Sequence, residues 1–147
     1  MASAPRLSVC VAASPAGIQQ AATALDGFRA EHGLDDSAAW PLHVALDEIL
    51  SNIVRHSQTG PKAGWIDVTI ERRGDAVDMT VTDDGPAFDP LQLPEPDVTA
   101  RIEERQPGGL GVHLVRKLID RVEYTRAGGR NRLTMTWRPP KAEPRGA

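Results

Sequence analysis

The hydrophobic and polar positions of the chain follow a helical period most clearly between Leu42 and His56. Apolar side chains recur there at intervals of three and four residues, at Leu42, Leu46, Ile49, Leu50 and Ile53. This spacing predicts an amphipathic helix with one buried face. Glu48, Asn52 and His56 repeat every four residues beside that face, so we expect their side chains to stack in one row. Such a row suits the wall of a cleft, although the solvated flank of a half-buried helix has the same pattern.

The other elements follow from shorter patterns on either side of this central helix. They are predicted in the order strand 6–13, helix 15 to about 32, strands 66–72 and 77–83, a helix after Gly111, and strands 122–125 and 133–137. Ser14 and Pro15 favour a helix start, because the hydroxyl caps free backbone N–H groups and proline suits the first helical position. Pro41 is expected to open the central helix at Leu42. Paired strands with helices between them indicate an α+β fold, with helices on one face of a mixed or antiparallel sheet.

No sustained period occurs between residues 87 and 106, a stretch that contains several prolines and a charged cluster at 101–105. A loop of this length inside a small domain is usually functional or disordered, and we expect a mobile lid. Arg101 and Arg105 are candidates for a contact from this lid to a bound phosphate. Both residues would equally suit solvated surface positions.

Composition and charge narrow the class of protein. The 147 residues with 40% hydrophobic and 25% charged side chains predict one compact domain, at 1–138, followed by a disordered polar tail at 139–147. A net charge of −3 gives no basic surface for a nucleic acid. The single cysteine, Cys10, lies in an apolar run, where we expect it to be buried and reduced. With neither a leader pattern nor an apolar run long enough for a bilayer, we expect a cytoplasmic protein with no membrane partner.

Two further motifs supply groups that the central helix lacks. A predicted strand ends at Asp83, in the run Asp83-Asp84-Gly85-Pro86-Ala87. A carboxylate at a strand end accepts a hydrogen bond from an exocyclic amine, and a glycine after it allows a close approach of the backbone. The second motif, Gly109-Leu110-Gly111, opens a helix, where free backbone N–H groups attract anions. Alone, each motif is also typical of an ordinary turn.

In this order, the stretches LHVALDEILSNIVRH, VTDDGPAFDP and PGGLGVHLVRKLID resemble the nucleotide-binding domain of the GHKL ATPases. The resemblance spans roughly residues 7–137 and is nearest to the switch-kinase branch, the anti-sigma factor serine/threonine kinases of bacterial partner-switching systems. From these 147 residues we expect neither the dimerisation domain of a sensor histidine kinase nor the transducer of a gyrase-like ATPase. The resemblance implies a two-layer α/β sandwich of the Bergerat type, with helices on one face of the sheet and an ATP lid.

The resemblance also implies roles for individual residues, with ATP or ADP and Mg²⁺ as cofactors. Glu48 corresponds to the general base, Asn52 to the ligand of Mg²⁺, and Asp83 to the contact with adenine. The residues that correspond to nucleotide contacts in the family are Asn52, His56, Asp83, Gly85, Ala87, Arg105, Gly109, Leu110, Gly111 and Val112. Arg55, like His56, could be either a nucleotide contact or a solvated charge. His56 is favoured only because it continues the row of Glu48 and Asn52. Ala87 replaces the second glycine of the family motif Asp-x-Gly-x-Gly.

The function that the resemblance implies is that of an ATP-dependent serine/threonine protein kinase and anti-sigma factor. Such a protein phosphorylates an antagonist of the STAS type, sequesters a sigma factor and forms a homodimer. The alternative is a nucleotide-binding module that sequesters its partner without phosphoryl transfer. Glu48 favours the kinase, because a pure binding module has no need of a base at that position.

Overall fold

Residues 5–56, 64–92 and 109–140 are described by the computed structural model. Within these ranges the elements follow one another as β1 (Arg6–Ala12), α1 (Pro15–Glu31), α2 (Asp36–His56), β2 (Trp65–Arg73), β3 (Ala76–Asp83), a 3₁₀ turn (Pro90–Gln92), α3 (Gly109–Leu118), β4 (Arg121–Ala127) and β5 (Arg130–Trp137). Most of the predicted lid (93–106), including Arg101 and Arg105, and most of the predicted tail (141–147) lie outside the described residues.

The five strands form one antiparallel sheet in the order β1-β2-β3-β5-β4. Its register aligns one apolar row across all five strands, formed by Val9, Val68, Val81, Leu133 and Tyr124. Because side chains alternate along a strand, this row and its equivalents face the helices, and they share one core with α1, α2 and α3. The predicted α+β sandwich with helices on one face is confirmed, and the sheet is antiparallel throughout.

Helix α1 begins and ends as its sequence predicts. The Ser14 side chain accepts a hydrogen bond from the Gly17 backbone N–H at 3.1 Å, and Pro15 takes the first helical position. Gly33 follows the helix with a φ of 68°, a left-handed conformation that glycine adopts without strain. Gly17 is required for packing, because a Cβ there would lie 1.8 Å from the carbonyl oxygen of Ala12. The start of α1 therefore lies directly against the end of β1.

Helix α2 begins at Asp36, so the prediction that Pro41 opens it at Leu42 is wrong. The carboxylate of Asp35 accepts a hydrogen bond from the Ser37 N–H at 3.3 Å, and the Ala39 N–H donates to the Asp35 carbonyl at 2.8 Å. This cap forms a turn ahead of the proline, which then removes a single backbone hydrogen bond from an established helix. The predicted apolar face is confirmed, since Leu42, Leu46, Ile49 and Leu50 are buried.

The last hairpin is longer than its sequence predicts. Strand β5 begins at Arg130 rather than at Leu133, and β4 extends to Ala127. The turn consists of Gly128 and Gly129 alone, with φ values of 59° and 74°. Two glycines in left-handed conformations close a tight hairpin, so the strand pairing runs up to the turn. Polar residues at the start of β5 thereby become part of the sheet.

Cys10 is exposed, so the prediction of a buried cysteine is wrong. The apolar neighbours on β1, Val9 and Val11, face the helices, and the two-residue period of the strand places Cys10 on the opposite face. A hydrogen bond with the Asp67 side chain raises the pKa of the Cys10 thiol, with smaller contributions from desolvation and from the charge of Asp67. A raised pKa reduces the fraction of the reactive thiolate at Cys10.

Helix α3 packs on α2. Its Val112 and Val115 are buried, as is Ile119 just past its end, whereas Leu114 is exposed. Its axis begins beside Glu48 of α2, and past its end the Asp120 N–H donates to the Thr136 carbonyl at the far end of β5. In the part of the chain that is described, no helix has the length and apolar character needed to cross a membrane.

Candidate functional site

A cleft opens between the C-terminal half of α2 and one end of the sheet. Its lining comes from α2, from β3 and the loop after it, and from β4 and β5: Ile49, Asn52, Ile53, His56, Val81, Asp83, Gly85, Pro86, Phe88, Pro90, Tyr124, Asn131 and Leu133. Apolar side chains form most of this wall, and a few polar groups converge on it. That combination is typical of a small-molecule binding site.

Asp83 is the buried carboxylate of the cleft, with 4% of its surface exposed. Its Oδ1 accepts hydrogen bonds from the Gly85 backbone N–H at 2.9 Å and from Asn131 Nδ2 at 3.2 Å. Burial raises the pKa of Asp83, while these two hydrogen bonds oppose the increase. Because both bonds end on Oδ1, the other oxygen remains available to a ligand in the cleft.

Asn131 was missed by the sequence analysis. Its Nδ2 donates to Asp83 and, at 2.8 Å, to the carbonyl of Pro86. Its Oδ1 accepts from the Phe88 N–H at 3.2 Å and from the Tyr124 hydroxyl. The available signal was the alternation of β5, which places Asn131 on the same face as the buried Leu133. The last strand was predicted to begin at Leu133, so Asn131 fell outside it.

The polar row on α2 reaches the same cleft. Asn52 is 1% exposed, and its Oδ1 accepts a hydrogen bond from Arg55 Nη1 at 2.8 Å. Its Nδ2 has no hydrogen-bond partner among the described residues. His56 stacks on Phe88, with ring centroids 3.8 Å apart and an angle of 29° between the rings. Burial, and then the charge of Arg55, lower the pKa of His56, which favours the neutral imidazole.

Glu48 precedes Asn52 by one turn of α2 and lies against the first turn of α3. A Cβ at Gly111 would lie 1.7 Å from Glu48 Oε2, so the carboxylate occupies the space that any other residue at Gly111 would need. Burial raises the pKa of Glu48; Asp47 adds to the increase and Arg55 opposes it. The carboxylate thus lies near the positive end of the α3 dipole, where anions are stabilised.

The structure brings four of the predicted contact residues, Asn52, His56, Asp83 and Gly85, into one cleft. Ala87 is exposed and outside the lining, and the Val112 side chain is buried, which leaves only its backbone for a ligand. Gly109 and Leu110 form the first turn of α3, but only their backbone is described, and Arg105 lies outside the described residues. Within the described ranges, no three His, Cys, Asp or Glu side chains form a metal site.

Comparison with known families agrees with this architecture. Residues 11–137 match the family described as the histidine kinase-like ATPase domain. The chain belongs to this family. The family is described as an ATPase domain, and an ATPase binds ATP. This agrees with the expected ATP or ADP.

Curated relatives place this histidine kinase-like ATPase domain among the switch kinases, which confirms the resemblance inferred from the sequence. The serine/threonine-protein kinase BtrW of Bordetella bronchiseptica is 35% identical over 95 residues, which cover 65% of this chain and 67% of BtrW. The serine-protein kinase RsbW of Listeria monocytogenes is 27% identical over 122 residues, or 80% of this chain and 78% of RsbW. The names of these relatives agree with the enzyme class that the resemblance implied, serine/threonine protein kinase.

A solved structure has the same fold. The crystal structure of the RsbU and RsbW domains of Rv1364c from Mycobacterium tuberculosis superimposes with a TM-score of 0.65 at 20% identity. The match covers 92% of this chain and 32% of that longer chain. At this level of identity the likeness shows the fold alone.

Proposed function

We propose that this protein is an ATP-dependent serine/threonine protein kinase and anti-sigma factor. In this proposal it phosphorylates a STAS-type antagonist and sequesters a sigma factor. The observation that carries the proposal is the arrangement of α2, which presents Asn52 and His56 to the Asp83 cleft and Glu48 to the first turn of α3. A nucleotide lying along α2 would have its base at one end of this wall and its phosphates at the other.

At the base end, Asp83 is the proposed contact to adenine. A 6-amino group donates a hydrogen bond, and the Asp83 carboxylate offers an acceptor in a mostly apolar cleft. Apolar side chains from α2 and the sheet, including Ile49, Val81 and Leu133, provide surfaces for the faces of the purine ring. The pocket therefore combines one directional polar contact with apolar packing, as small-molecule sites commonly do.

At the phosphate end, the first turn of α3 provides backbone N–H groups at the positive end of the helix dipole. The rise of about 1.5 Å per residue in an α-helix separates Glu48 from Asn52 by about 6 Å along α2. This spacing suits a nucleotide whose base lies beyond Asn52 and whose terminal phosphate lies near Glu48. The α3 N-terminus and Arg55 would offset the negative charge of the phosphates.

Glu48 is the proposed general base. The hydroxyl of the substrate serine or threonine attacks the terminal phosphoryl group, its proton passes to the Glu48 carboxylate, and the bond to the leaving ADP oxygen breaks. Burial raises the pKa of Glu48, which strengthens the carboxylate as a proton acceptor. The close packing of its carboxylate on Gly111 restricts where that acceptor lies.

Mg²⁺ is the proposed metal, and Asn52 is the residue that would hold it. The buried Asn52 side chain provides a neutral oxygen of the type that Mg²⁺ accepts, and its amide nitrogen has no partner among the described residues. The same oxygen now accepts a hydrogen bond from Arg55, so binding of the metal would require the guanidinium to move away. When bound, Mg²⁺ would neutralise charge on the phosphate oxygens.

The protein partners and the dimer are part of the same proposal. The antagonist would approach near Glu48, because its hydroxyl must come within about 3 Å of the base. The residues from 7 to 32 would face the second protomer, since no proposed nucleotide contact lies among them. Ala21, Leu25 and Phe28 of α1 are buried in the core, so an interface on this helix would use its outer side.

The test of the proposed kinase is transfer of label from γ-labelled ATP to a candidate STAS-type antagonist. Label on a serine or threonine of the antagonist, absent with Glu48→Gln, supports the proposal. Nucleotide binding without transfer to any tested antagonist would favour the sequestering module. A protein that does not bind ATP in calorimetry contradicts both.

A further inference from the structure

Asn131 joins four parts of the cleft through hydrogen bonds that use its whole amide group. We propose that Asn131 is the positioning residue that fixes the Asp83 carboxylate, and that it thereby sets a preference for 6-amino over 6-oxo purine nucleotides. This inference rests on the proposed contact between Asp83 and adenine. It assigns to Asn131 a role in nucleotide selection that acts through Asp83 and needs no contact between Asn131 and the nucleotide.

The partners of Asn131 allow only one orientation of its amide. The Phe88 N–H only donates, so the atom that faces it must be the amide oxygen. The Pro86 carbonyl only accepts, so the atom 2.8 Å from it must be the amide nitrogen. The Tyr124 hydroxyl donates to the same amide oxygen. An inverted amide would place oxygen against oxygen at Pro86 and N–H against N–H at Phe88.

This fixed orientation has a consequence for Asp83. The amide nitrogen of Asn131 and the Gly85 N–H both donate to Asp83 Oδ1, so two donors from different elements hold the carboxyl group through one oxygen. Two donors on Oδ1 favour the carboxylate against the burial that raises its pKa. In the ionised form of Asp83, the second oxygen only accepts hydrogen bonds, so it attracts a 6-amino group and repels the lone pairs of a 6-oxo group.

Asn131 is buried, with 7% of its surface exposed, and it lies on β5 while its partners lie on β3, β4 and the loop after β3. A buried network in which every donor and acceptor is paired is rigid and is costly to disturb. Rigidity matters here, because discrimination between an amino and an oxo group requires an acceptor that does not rotate to suit both.

The experiment measures the affinity of the wild type, Asn131→Ala and Tyr124→Phe for ATP and for inosine triphosphate (ITP), which carries a 6-oxo group. The loss of a buried hydrogen-bond partner corresponds to roughly a 5- to 100-fold decrease in ATP affinity for Asn131→Ala. ITP affinity should change by less than about threefold, since the lost interaction favours only the amino group. Tyr124→Phe should also reduce the preference for ATP over ITP, but by a smaller factor than Asn131→Ala.

Two controls separate positioning from general damage. Thr134→Val, on the same strand but on the opposite face of the sheet, should leave both affinities unchanged. In an Asp83→Ala background, Asn131→Ala should cause no further loss of ATP affinity, because a residue that acts through Asp83 has nothing left to position. Thermal unfolding of each variant verifies that it is folded, and Tyr124→Phe decides the question if Asn131→Ala does not fold.

Equal losses for ATP and ITP would overturn the inference, as would a loss that persists in the Asp83→Ala background. If the wild type binds neither nucleotide, the proposed function itself fails. If the wild type prefers ATP and both variants keep that preference, the proposed function stands and only the role of Asn131 is refuted.

Discussion

The two ends of the proposed nucleotide site differ in how completely their polar groups are paired. At the Asp83 end, Asn131 uses both donors and both acceptor positions, and Asp83 receives two hydrogen bonds on one oxygen. At the Glu48 end, the buried Asn52 amide is half satisfied within the described residues, and its oxygen is held by Arg55. One end is therefore organised before a ligand arrives, whereas the other contains charges and an amide that a ligand would rearrange.

This difference fits the two parts of a nucleotide. A purine is uncharged and rigid, so a prearranged pocket recognises it at little conformational cost. A triphosphate brings several negative charges and a metal ion, which compete for groups such as Arg55 and Asn52. Substitutions at the Asp83 end should therefore act mainly on binding, and those at the Glu48 end mainly on phosphoryl transfer.

The largest expected effect is that of Glu48→Gln. Removal of a general base slows proton transfer, so phosphorylation of the antagonist should fall roughly 10²- to 10⁴-fold. The amide has the shape of the carboxylate, and ATP affinity should stay within a few-fold of the wild type. Single-turnover transfer and calorimetric titration measure the two quantities. Asp47→Asn, the exposed neighbouring carboxylate, is the matched control and should retain transfer. Equal losses of binding and transfer would show that Glu48 is structural.

Gly111→Ala should have the next largest effect. The added Cβ would lie 1.7 Å from Glu48 Oε2, so the carboxylate or the start of α3 must shift. A misplacement of about 1 Å in a reacting group can cost about 10²-fold in rate, and we expect a loss of transfer of that order. Gly27→Ala is the control, because a Cβ there meets no atom within 4 Å. Normal transfer by Gly111→Ala would mean that the position of Glu48 against α3 is unimportant.

Asp83→Ala tests the other end of the comparison. Without the acceptor, ATP binding should weaken by about 1–3 kcal/mol, the usual cost of losing a buried hydrogen-bond partner. At saturating ATP the rate of transfer should be close to that of the wild type, because the substitution lies away from Glu48. Calorimetry gives the affinity, and transfer at increasing ATP concentration gives the rate. A rate that stays low at saturation would remove the proposed division between binding and transfer.

The sequence predicted those features that depend on neighbouring residues. The apolar face of α2 and the cap at Ser14 follow from spacings of a few residues, and both agree with the structure. The predicted start of α2 was wrong because Pro41 is a strong local signal for a helix start. The cap at Asp35, ahead of the proline, outweighs that signal.

Asn131 and Gly111 show why the rest was out of reach. The partners of Asn131 come from β3, β4 and the loop at 85–88, so its role depends on strand order, which periodicity does not provide. Gly111 was predicted to belong to a phosphate-binding motif, but its contact with Glu48 exists only once α3 packs on α2. Periodicity identified the elements, and the pairing of distant elements determined which side chains meet.

The smallest expected effect concerns the pH dependence of transfer. In the proposed mechanism only the ionised form of Glu48 accepts the proton, so the rate should rise with pH through the pKa of Glu48, which lies above its ordinary value. The charge of Asp47 contributes to that increase, so Asp47→Asn should move the midpoint of the pH–rate profile to lower pH. Because Asp47 is exposed, added salt should reduce the difference between the two profiles. Asp75→Asn, on the turn between β2 and β3, should leave the midpoint in place. A midpoint that Asp47→Asn does not move would indicate that another group controls the profile.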